Sequence, residues 1–287
     1  MRVFAFKETI SNFLCSYYLP NYDAMEVQVL KPLKGKIAVI TGADSGIGQA
    51  ISKELSEKGC HIVINYHSDQ KGAERTLKMV EQNGSKGLII QADISDYEEV
   101  KKMYKTLQSE LGIPWILINS AGIDSAGKHV DQMDIDIFDK TIRTNLYGTF
   151  YNCKEFIQLR KAEGGEGKII NITSVHEDLP RTGAAEYCAS KGAVRNLTRC
   201  LALELAEFKI NVNNLAPGMV LTPMNQEAMD DPELLKKQVQ SIPWKRAAEP
   251  WEIAKLAAYL VSEDAAYATG QTFTLDGGLT QNMGQGA

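Results

Sequence analysis

Tyr187 and Lys191 stand four residues apart in a stretch with helical patterning, which places both side chains on one helix face. A phenol beside an ammonium is a proton-transfer pair. Free tyrosine titrates near ~10 and is a poor base at neutral pH. A neighbouring positive charge favours the phenolate. Each pKa unit corresponds to about 1.4 kcal/mol, so a few kcal/mol of charge interaction brings such a phenol into working range. Ser174 lies earlier, in "NITSV", at the end of an apolar run. A hydroxyl there can steady an oxygen that gains negative charge during reaction. Asn145, in "RTNLYG", is a polar residue inside an otherwise apolar helical stretch and needs a partner or a task. Tyr-x-x-x-Lys alone arises by chance on many solvated helices, so the weight rests on the set.

A second constellation sits near the start of the patterned region. In "TGADSGIG", Gly42, Gly46 and Gly48 follow an apolar run directly and open a helical stretch. Such a turn lets a pyrophosphate approach the backbone, while the free N–H groups and the dipole of the new helix favour the anion. Gly42, Asp44, Ser45, Gly46, Ile47 and Gly48 are therefore candidate cofactor contacts. A glycine turn alone is weak evidence; its place between a buried strand and a helix strengthens it.

The elements that must position these residues alternate from Lys36 onward. Apolar runs "KIAVIT", "HIVINY", "GLIIQAD", "PWILINSAG", "GKIINITS", "INVNNLAP" and "GQTFTLDGG" read as strands. Helical stretches separate them, including two long ones over about 136–162 and 186–208. This pattern predicts an α/β fold with a single doubly wound parallel sheet of Rossmann type and helices on both faces. Ligands in such sheets bind at the carboxyl ends of the strands, where the residues singled out above fall. Residues 222–248 interrupt the alternation and read as a lid or substrate loop, or else a surface excursion. Residues 1–34 read as an N-terminal extension before one domain over 35–287. Within them Phe6, Ile10, Phe13, Leu14 and Tyr17 fall at helical spacing, and Met25 is an alternative start.

Composition narrows the function classes. The chain has 287 residues, a formal net charge of -5 and no basic block, which argues against nucleic acid as a partner. No apolar run is long enough to span a bilayer. Cys15, Cys60, Cys153, Cys188 and Cys200 are odd in number and widely spaced, as expected for reduced thiols in a cytoplasmic protein. Cys188, beside Tyr187, reads as a small buried hydrophobe. No His/Cys/Asp cluster has metal-ligand spacing, so no metal is expected.

Over about residues 35–280 the motifs, in order and spacing, resemble the short-chain dehydrogenase/reductase superfamily. The resemblance implies reversible hydride transfer between an alcohol or carbonyl substrate and NAD or NADP. Tyr187 would be the acid/base, with Ser174 steadying the oxygen. Lys191 would lower the tyrosine pKa and orient the ribose, and Asn145 would hold a water in a proton relay. It further implies that Asp93 and Ile94 in "QADIS" meet the adenine, although Asp93 also reads as a helix cap. Asn119, Ala121 and Gly122 in "NSAG", with Pro217, Gly218 and Thr222, complete the cofactor set, Thr222 touching the carboxamide. Ser120 stands where the family carries a second Asn; its hydroxyl can still bond a neighbouring strand. The end of the second strand carries neither the acidic residue of NAD selection nor a basic residue of NADP selection. His67 can contact a phosphate, and the reading leans slightly to NADP.

"TSVHEDLP" and "AEYCASKGA" look most like the glucose 1-dehydrogenase branch, which implies that Asp124 and His176 join Ser174 and Tyr187 at a sugar substrate. A solvated Asp124 and a loop-capping His176 are the plainer alternatives. A reductase of 3-oxoacyl thioesters is the second reading, with Lys236, Lys237, Lys245 and Arg246 as a docking surface for an acidic carrier. A catalytically idle NAD(P)-sensing protein is the third. The family resemblance implies a homo-oligomer, commonly a tetramer, paired through the two long helices.

Overall fold

The computed structural model describes residues 31–282; the helical spacing in 1–34 and Met25 fall outside it, apart from the segment's last residues. Leu33, within the predicted extension, is buried in the core. Seven strands, β1 (Ile37–Ile40), β2 (His61–Tyr66), β3 (Gly87–Gln91), β4 (Ile116–Asn119), β5 (Gly167–Ile172), β6 (Ile210–Pro217) and β7 (Thr272–Leu275), form one sheet. Its order is β3-β2-β1-β4-β5-β6-β7, and every pairing is parallel. The Rossmann-type expectation is met.

Strand residues alternate between two cores, as pleating requires. Ala38, Ile40, Ile116 and Ile118 face one cluster with Ile51 and Leu55 of α1 (Gly46–Glu57), Ala73 and Val80 of α2 (Gln70–Gln82), and Ile253 and Ala257 of α9 (Pro250–Leu260). Ile37, Val39 and Leu117 face the other, with Met103 and Leu107 of α3 (Tyr97–Glu110), Phe156 of α5 (Gly148–Ala162) and Leu201 of α6 (Ala185–Leu205). Burial on both faces is why these strands read as continuous apolar runs. Strand order reverses between β1 and β4, which opens a crevice at their carboxyl ends.

Two helices differ from the reading above. The predicted helix over 136–162 is α4 (Ile135–Ile142), a π-turn at Arg143–Tyr147, then α5. The extra residue in that turn carries Asn145. The predicted 186–208 helix ends at Leu205, followed by a 3-10 turn over Ala206–Phe208 and left-handed Lys209. Residues 222–248 hold two short helices, α7 (Gln226–Asp230) and α8 (Pro232–Gln238). A small cluster of Val239, Ile242 and Ala247 anchors that segment.

Candidate active site

The glycine turn is shaped by backbone contacts that a side chain would break. Gly42 has φ +61° and Gly46 φ +52°. A Cβ on Gly48 would lie 2.2 Å from the Gly42 carbonyl oxygen, so the turn and the first turn of α1 close directly on each other. Ser45 precedes α1 but its side chain makes no capping hydrogen bond. The first N–H groups of α1 thus remain available to an anion at the mouth of the crevice. Thr41, fully buried at the end of β1, accepts hydrogen bonds from the backbone N–H groups of Ser120 and Ala121, both at 3.0 Å. The link between the two loops therefore runs through the backbone of Ser120, not the hydroxyl the sequence reading proposed.

The crevice has a volume of about 910 Å³. Of the predicted cofactor residues, the glycine turn, His67, Asp93, Ile94, Ala121, Gly122 and Thr222 line it, as does Asp124. At one end His67 Nε2 lies 3.8 Å from Asp93 Oδ2. Asp93 Oδ1 accepts from Ser95 N–H at 2.8 Å, as a cap does. Asp69 caps α2 through Gly72 N–H and pairs with Arg75. Burial pushes the Asp44 carboxyl up, and the charge of Asp69 adds to this. Asn119 does not line the crevice: its amide donates to Asn171 Oδ1 at 2.8 Å beneath it. Pro217 and Gly218 sit at the end of β6, where Gly218 N–H donates to Leu275 O and its Cα packs on Asp276.

The four candidate chemical residues converge from three elements. Lys191 is buried, with Nζ donating to Ile172 O at 2.9 Å and lying 5.5 Å from the centroid of the Tyr187 ring. Asn145, 1% exposed, accepts from Ile123 N–H at 2.9 Å. Its amide nitrogen donates to Ile123 O at 3.0 Å and to Ser190 Oγ at 3.1 Å. A Cβ on Gly122 would lie 3.1 Å from Asn145 Oδ1, a tight contact, and 3.7 Å from Lys191 Nζ, an ordinary one, so this loop packs directly on both groups. Ser174 Oγ accepts from His176 N–H at 3.2 Å, which leaves its own proton to donate elsewhere.

Electrostatics departs from the simple expectation for the pair. Burial pushes the Tyr187 phenol up to about 12; its hydrogen bond with Ser174 and the charge of Arg181 pull down, and Asp124 pushes up. Burial pulls Lys191 down to about 8, opposed by Glu177 and then Asp124. Desolvation thus outweighs any help Lys191 gives the phenolate, and this chain's own groups hold Tyr187 as a neutral acid.

Around Tyr187 the wall is polar. His176 meets its ring edge-on, centroids 6.2 Å apart. His176 Nδ1 lies 2.7 Å from Leu179 O, so that nitrogen carries a proton and donates to the carbonyl. Arg181 bonds Ser125 Oγ and lies 3.8 Å from Asp124. Glu186, fully buried, accepts from Ala126 N–H at 2.7 Å and pins the Asp124 loop to the start of α6. Thr41, Ser190, Arg181 and Glu186 escaped the sequence reading. The signal for Thr41 was its place between strand and glycine turn; Glu186 stood beside the tyrosine; Arg181 carried none.

Below the site runs a directional polar chain. Asn119 donates to Asn171, Asn171 Nδ2 to Thr198 Oγ1 at 2.7 Å, and Thr198 Oγ1 to Asn214 Oδ1 at 2.6 Å. Asn214 Nδ2 donates to Thr272 Oγ1 at 3.2 Å, and Thr272 to Glu177 Oε1 at 2.7 Å. Among the described residues no group of His, Cys, Asp and Glu is disposed to hold a metal, and the four cysteines there are free. Cys188 is half-buried.

Known proteins place this geometry in context. A family model described as "Enoyl-(Acyl carrier protein) reductase" matches residues 42–280. "Glucose 1-dehydrogenase 2" of Bacillus subtilis is 36% identical over 250 residues, covering 87% of this chain and 96% of that protein. "3-oxoacyl-[acyl-carrier-protein] reductase FabG" of Staphylococcus epidermidis is 36% identical over 244 residues, covering 85% and 98%. The crystal structure of a gluconate 5-dehydrogenase from Burkholderia cenocepacia, in complex with NADP and tartrate, superposes with TM-score 0.81. It is 32% identical, covering 88% of this chain and 98% of that one. The chain therefore belongs to the short-chain dehydrogenase/reductase family and is an NAD(P)-dependent oxidoreductase acting on CH–OH groups.

Proposed function

We propose that the protein is an NADP-dependent dehydrogenase of a small polyhydroxylated substrate, an aldose such as glucose. The observation that carries this reading is the set of polar groups around Tyr187, with His176, Asp124 and Arg181 presenting acceptors and donors together. Such a surface suits the hydroxyl groups of a polar substrate better than an apolar acyl chain. The cofactor fits on structural grounds: the uncapped start of α1, the closed glycine turn and the 910 Å³ crevice accept a dinucleotide. The lean to NADP rests on His67 and Ser68 at the tip of β2, where the nearby Asp69 is already committed to Gly72 and Arg75.

When bound, the nicotinamide supplies the hydride exchange and, oxidised, a positive charge. In the oxidative direction the phenolate form of Tyr187, which that positive charge and the Lys191 ammonium would favour, takes the proton of the substrate hydroxyl at Oη. Ser174 donates a hydrogen bond to the same oxygen and steadies its negative charge. Lys191 holds an ammonium near the phenol, and Asn145 fixes the loop at Ile123 above it. In the reductive direction Tyr187, held neutral, gives that proton back.

The second reading, a 3-oxoacyl-thioester reductase, draws on the similarity to the Staphylococcus epidermidis reductase. Its basic docking surface is weakened here, because Arg246 pairs with Glu252 and Lys245 Nζ is bound to Gln240 O. Ile135, Phe138, Tyr147 and Phe150 on the α4–α5 face and Leu203 on α6 are exposed apolar side chains, which supports a homo-oligomer, a tetramer in our reading. The free thiols support a cytoplasmic location. Among the described residues no helix is long and apolar enough to cross a membrane.

The test is absorbance of reduced nicotinamide with NAD or NADP across sugars, secondary alcohols and a 3-oxoacyl thioester. Turnover of an aldose with NADP supports the reading; oxidation of NADPH by the thioester alone replaces it with the second. Tyr187→Phe is expected to lose at least about 10³-fold in kcat, within the range removed with an essential acid/base. Retained turnover would overturn the assignment of Tyr187.

A further inference from the structure

The loop after β4 runs through "GIDSAGK", residues 122–128, a composition that gives it little means of holding its own shape. Ile123 is its only large apolar side chain, so packing can fix it at one point only. Among the described residues, no backbone N–H or carbonyl of 122–128 bonds to another backbone group. Side chains hold the backbone instead. Asn145 accepts from Ile123 N–H at 2.9 Å and donates to Ile123 O at 3.0 Å. Ser125 N–H turns back on the loop itself, to Asp124 Oδ1 at 2.7 Å. Past Ile123 the one tie from this backbone to another element is Ala126 N–H, which donates to Glu186 Oε1 at 2.7 Å.

Glu186 stands in the first turn of α6, immediately before Tyr187, and is fully buried, a costly place for a carboxyl group. Its bond to Ala126 ties that helix start to the stretch that carries the polar wall. Asp124 lines the crevice, and Arg181, on the loop before α6, reaches Ser125 Oγ and lies 3.8 Å from Asp124. The arginine and aspartate side chains are 49% and 40% exposed, so their ion pair contributes little by itself. The buried bond from Glu186 is the firmer tie. Gly127 and Gly183 let the two loops touch: their φ values are +70° and +76°, and a Cβ on Gly183 would lie 3.1 Å from Gly127 O. The position of Ala126 thus fixes where Asp124 and Ser125 stand relative to the residue that follows Glu186 in the chain, Tyr187.

We propose that Glu186 is a positioning residue for substrate binding, the anchor that holds the Asp124–Ser125 wall in register with Tyr187. The proposal rests on the reading of this crevice as the site of a polyhydroxylated substrate. It divides the loop between two side chains. Asn145 holds it at Ile123, next to Gly122 and Lys191, where the chemistry is placed. Glu186 holds it at Ala126, next to the groups that meet the substrate. Loss of Glu186 loosens the substrate wall and leaves the glycine turn, which it does not touch, as it was.

The experiment compares the full chain with Glu186→Ala, Glu186→Gln, Arg181→Ala and the pair Glu186→Ala with Arg181→Ala, on the substrate found by turnover. Glu186→Ala should raise KM about tenfold, with a smaller fall in kcat and NADPH affinity unchanged by fluorescence. Glu186→Gln keeps an acceptor oxygen for Ala126 N–H and should return KM to within about threefold of wild type. Because both residues act on one wall, the paired variant should raise KM by less than the product of the single effects. An unchanged KM in Glu186→Ala, no rescue by glutamine, KM and NADPH affinity failing together, or a fully multiplicative pair would each overturn the proposal. If Glu186→Ala does not fold, amide hydrogen exchange of the wild type read residue by residue decides: Ala126 should exchange at least about tenfold more slowly than Gly127 and Lys128, and equal rates refute the anchor. If no aldose turns over, the exchange rates still decide whether Glu186 holds the loop, while the aldose reading fails separately.

Discussion

Asn145→Ala is the most informative single perturbation, because one amide holds the π-turn, the loop after β4 and the catalytic helix together. Three hydrogen bonds are lost, to Ile123 N–H, Ile123 O and Ser190 Oγ. Ile123 lines the crevice, so water can replace part of what is removed. At about 1 kcal/mol of net stability for each bond, the loss is about 3 kcal/mol. For a domain of this size that corresponds to a fall of about 6–12 °C in melting temperature. The assay is thermal unfolding of wild type and variant in one buffer, followed by kcat and KM on the substrate identified by turnover. Release of Ile123 frees the backbone beside Gly122, which faces Lys191, so kcat should fall more than KM rises. A melting temperature within 2 °C of wild type, together with unchanged kcat, would refute the reasoning.

Three further outcomes follow from the geometry. Lys191→Met should abolish turnover yet stabilise the fold at pH 7. Burial takes Lys191 from an ordinary 10.5 to about 8, a penalty of about 3 kcal/mol for the ammonium, offset by about 1 kcal/mol for the Ile172 carbonyl left unpaired. Because the folded value lies below the unfolded one, that penalty is full below pH 8 and fades as pH rises toward 10.5. The gain in melting temperature should therefore shrink at pH 10, and a gain equal at both pH values would contradict the assignment. Gly48→Ala should cost at least about 1–3 kcal/mol, as for other overpacked sites, and abolish NADPH binding measured by fluorescence. Its Cβ would lie 2.2 Å from the Gly42 carbonyl; unimpaired binding would show that the turn yields. His67→Arg should tighten NADPH relative to NADH about tenfold by adding a permanent, bidentate cation, and a ratio unchanged in direct binding would remove the tip of β2 from cofactor choice.

Much of this architecture was legible in sequence because the strongest physical signals are local. Buried parallel strands must be apolar throughout, so "KIAVIT" and "HIVINY" declared themselves, and the glycines at 42 and 48 marked a backbone closure that a side chain would block. Less legible was whatever depends on contacts between distant segments. Nothing in the periodicity of 136–162 announced the π-turn, because one extra residue in a turn is specified by what Asn145 reaches, Ile123 and Ser190. Asn119 was read as a cofactor contact from its position in "NSAG", and its side chain is instead turned into the sheet toward Asn171. Arg181 lies in an irregular loop, and only the fold shows that this loop meets Ser125 and Asp124.

The switch in strand order also governs when the site comes into existence. β1 is synthesised early, yet its central-sheet neighbour β4 joins it only after β2, α2, β3 and α3 have been made: Ile40 pairs with Ile118. Thr222, which packs against Gly46, emerges later still. Contacts so far apart in sequence form slowly and late. The first three strands emerge with one flank of β1 unpaired, an edge open to association with other chains until β4 arrives. An organism making this protein therefore carries a kinetic exposure set by topology rather than by the final stability of the fold, and a truncated product ending before β4 would keep that edge permanently.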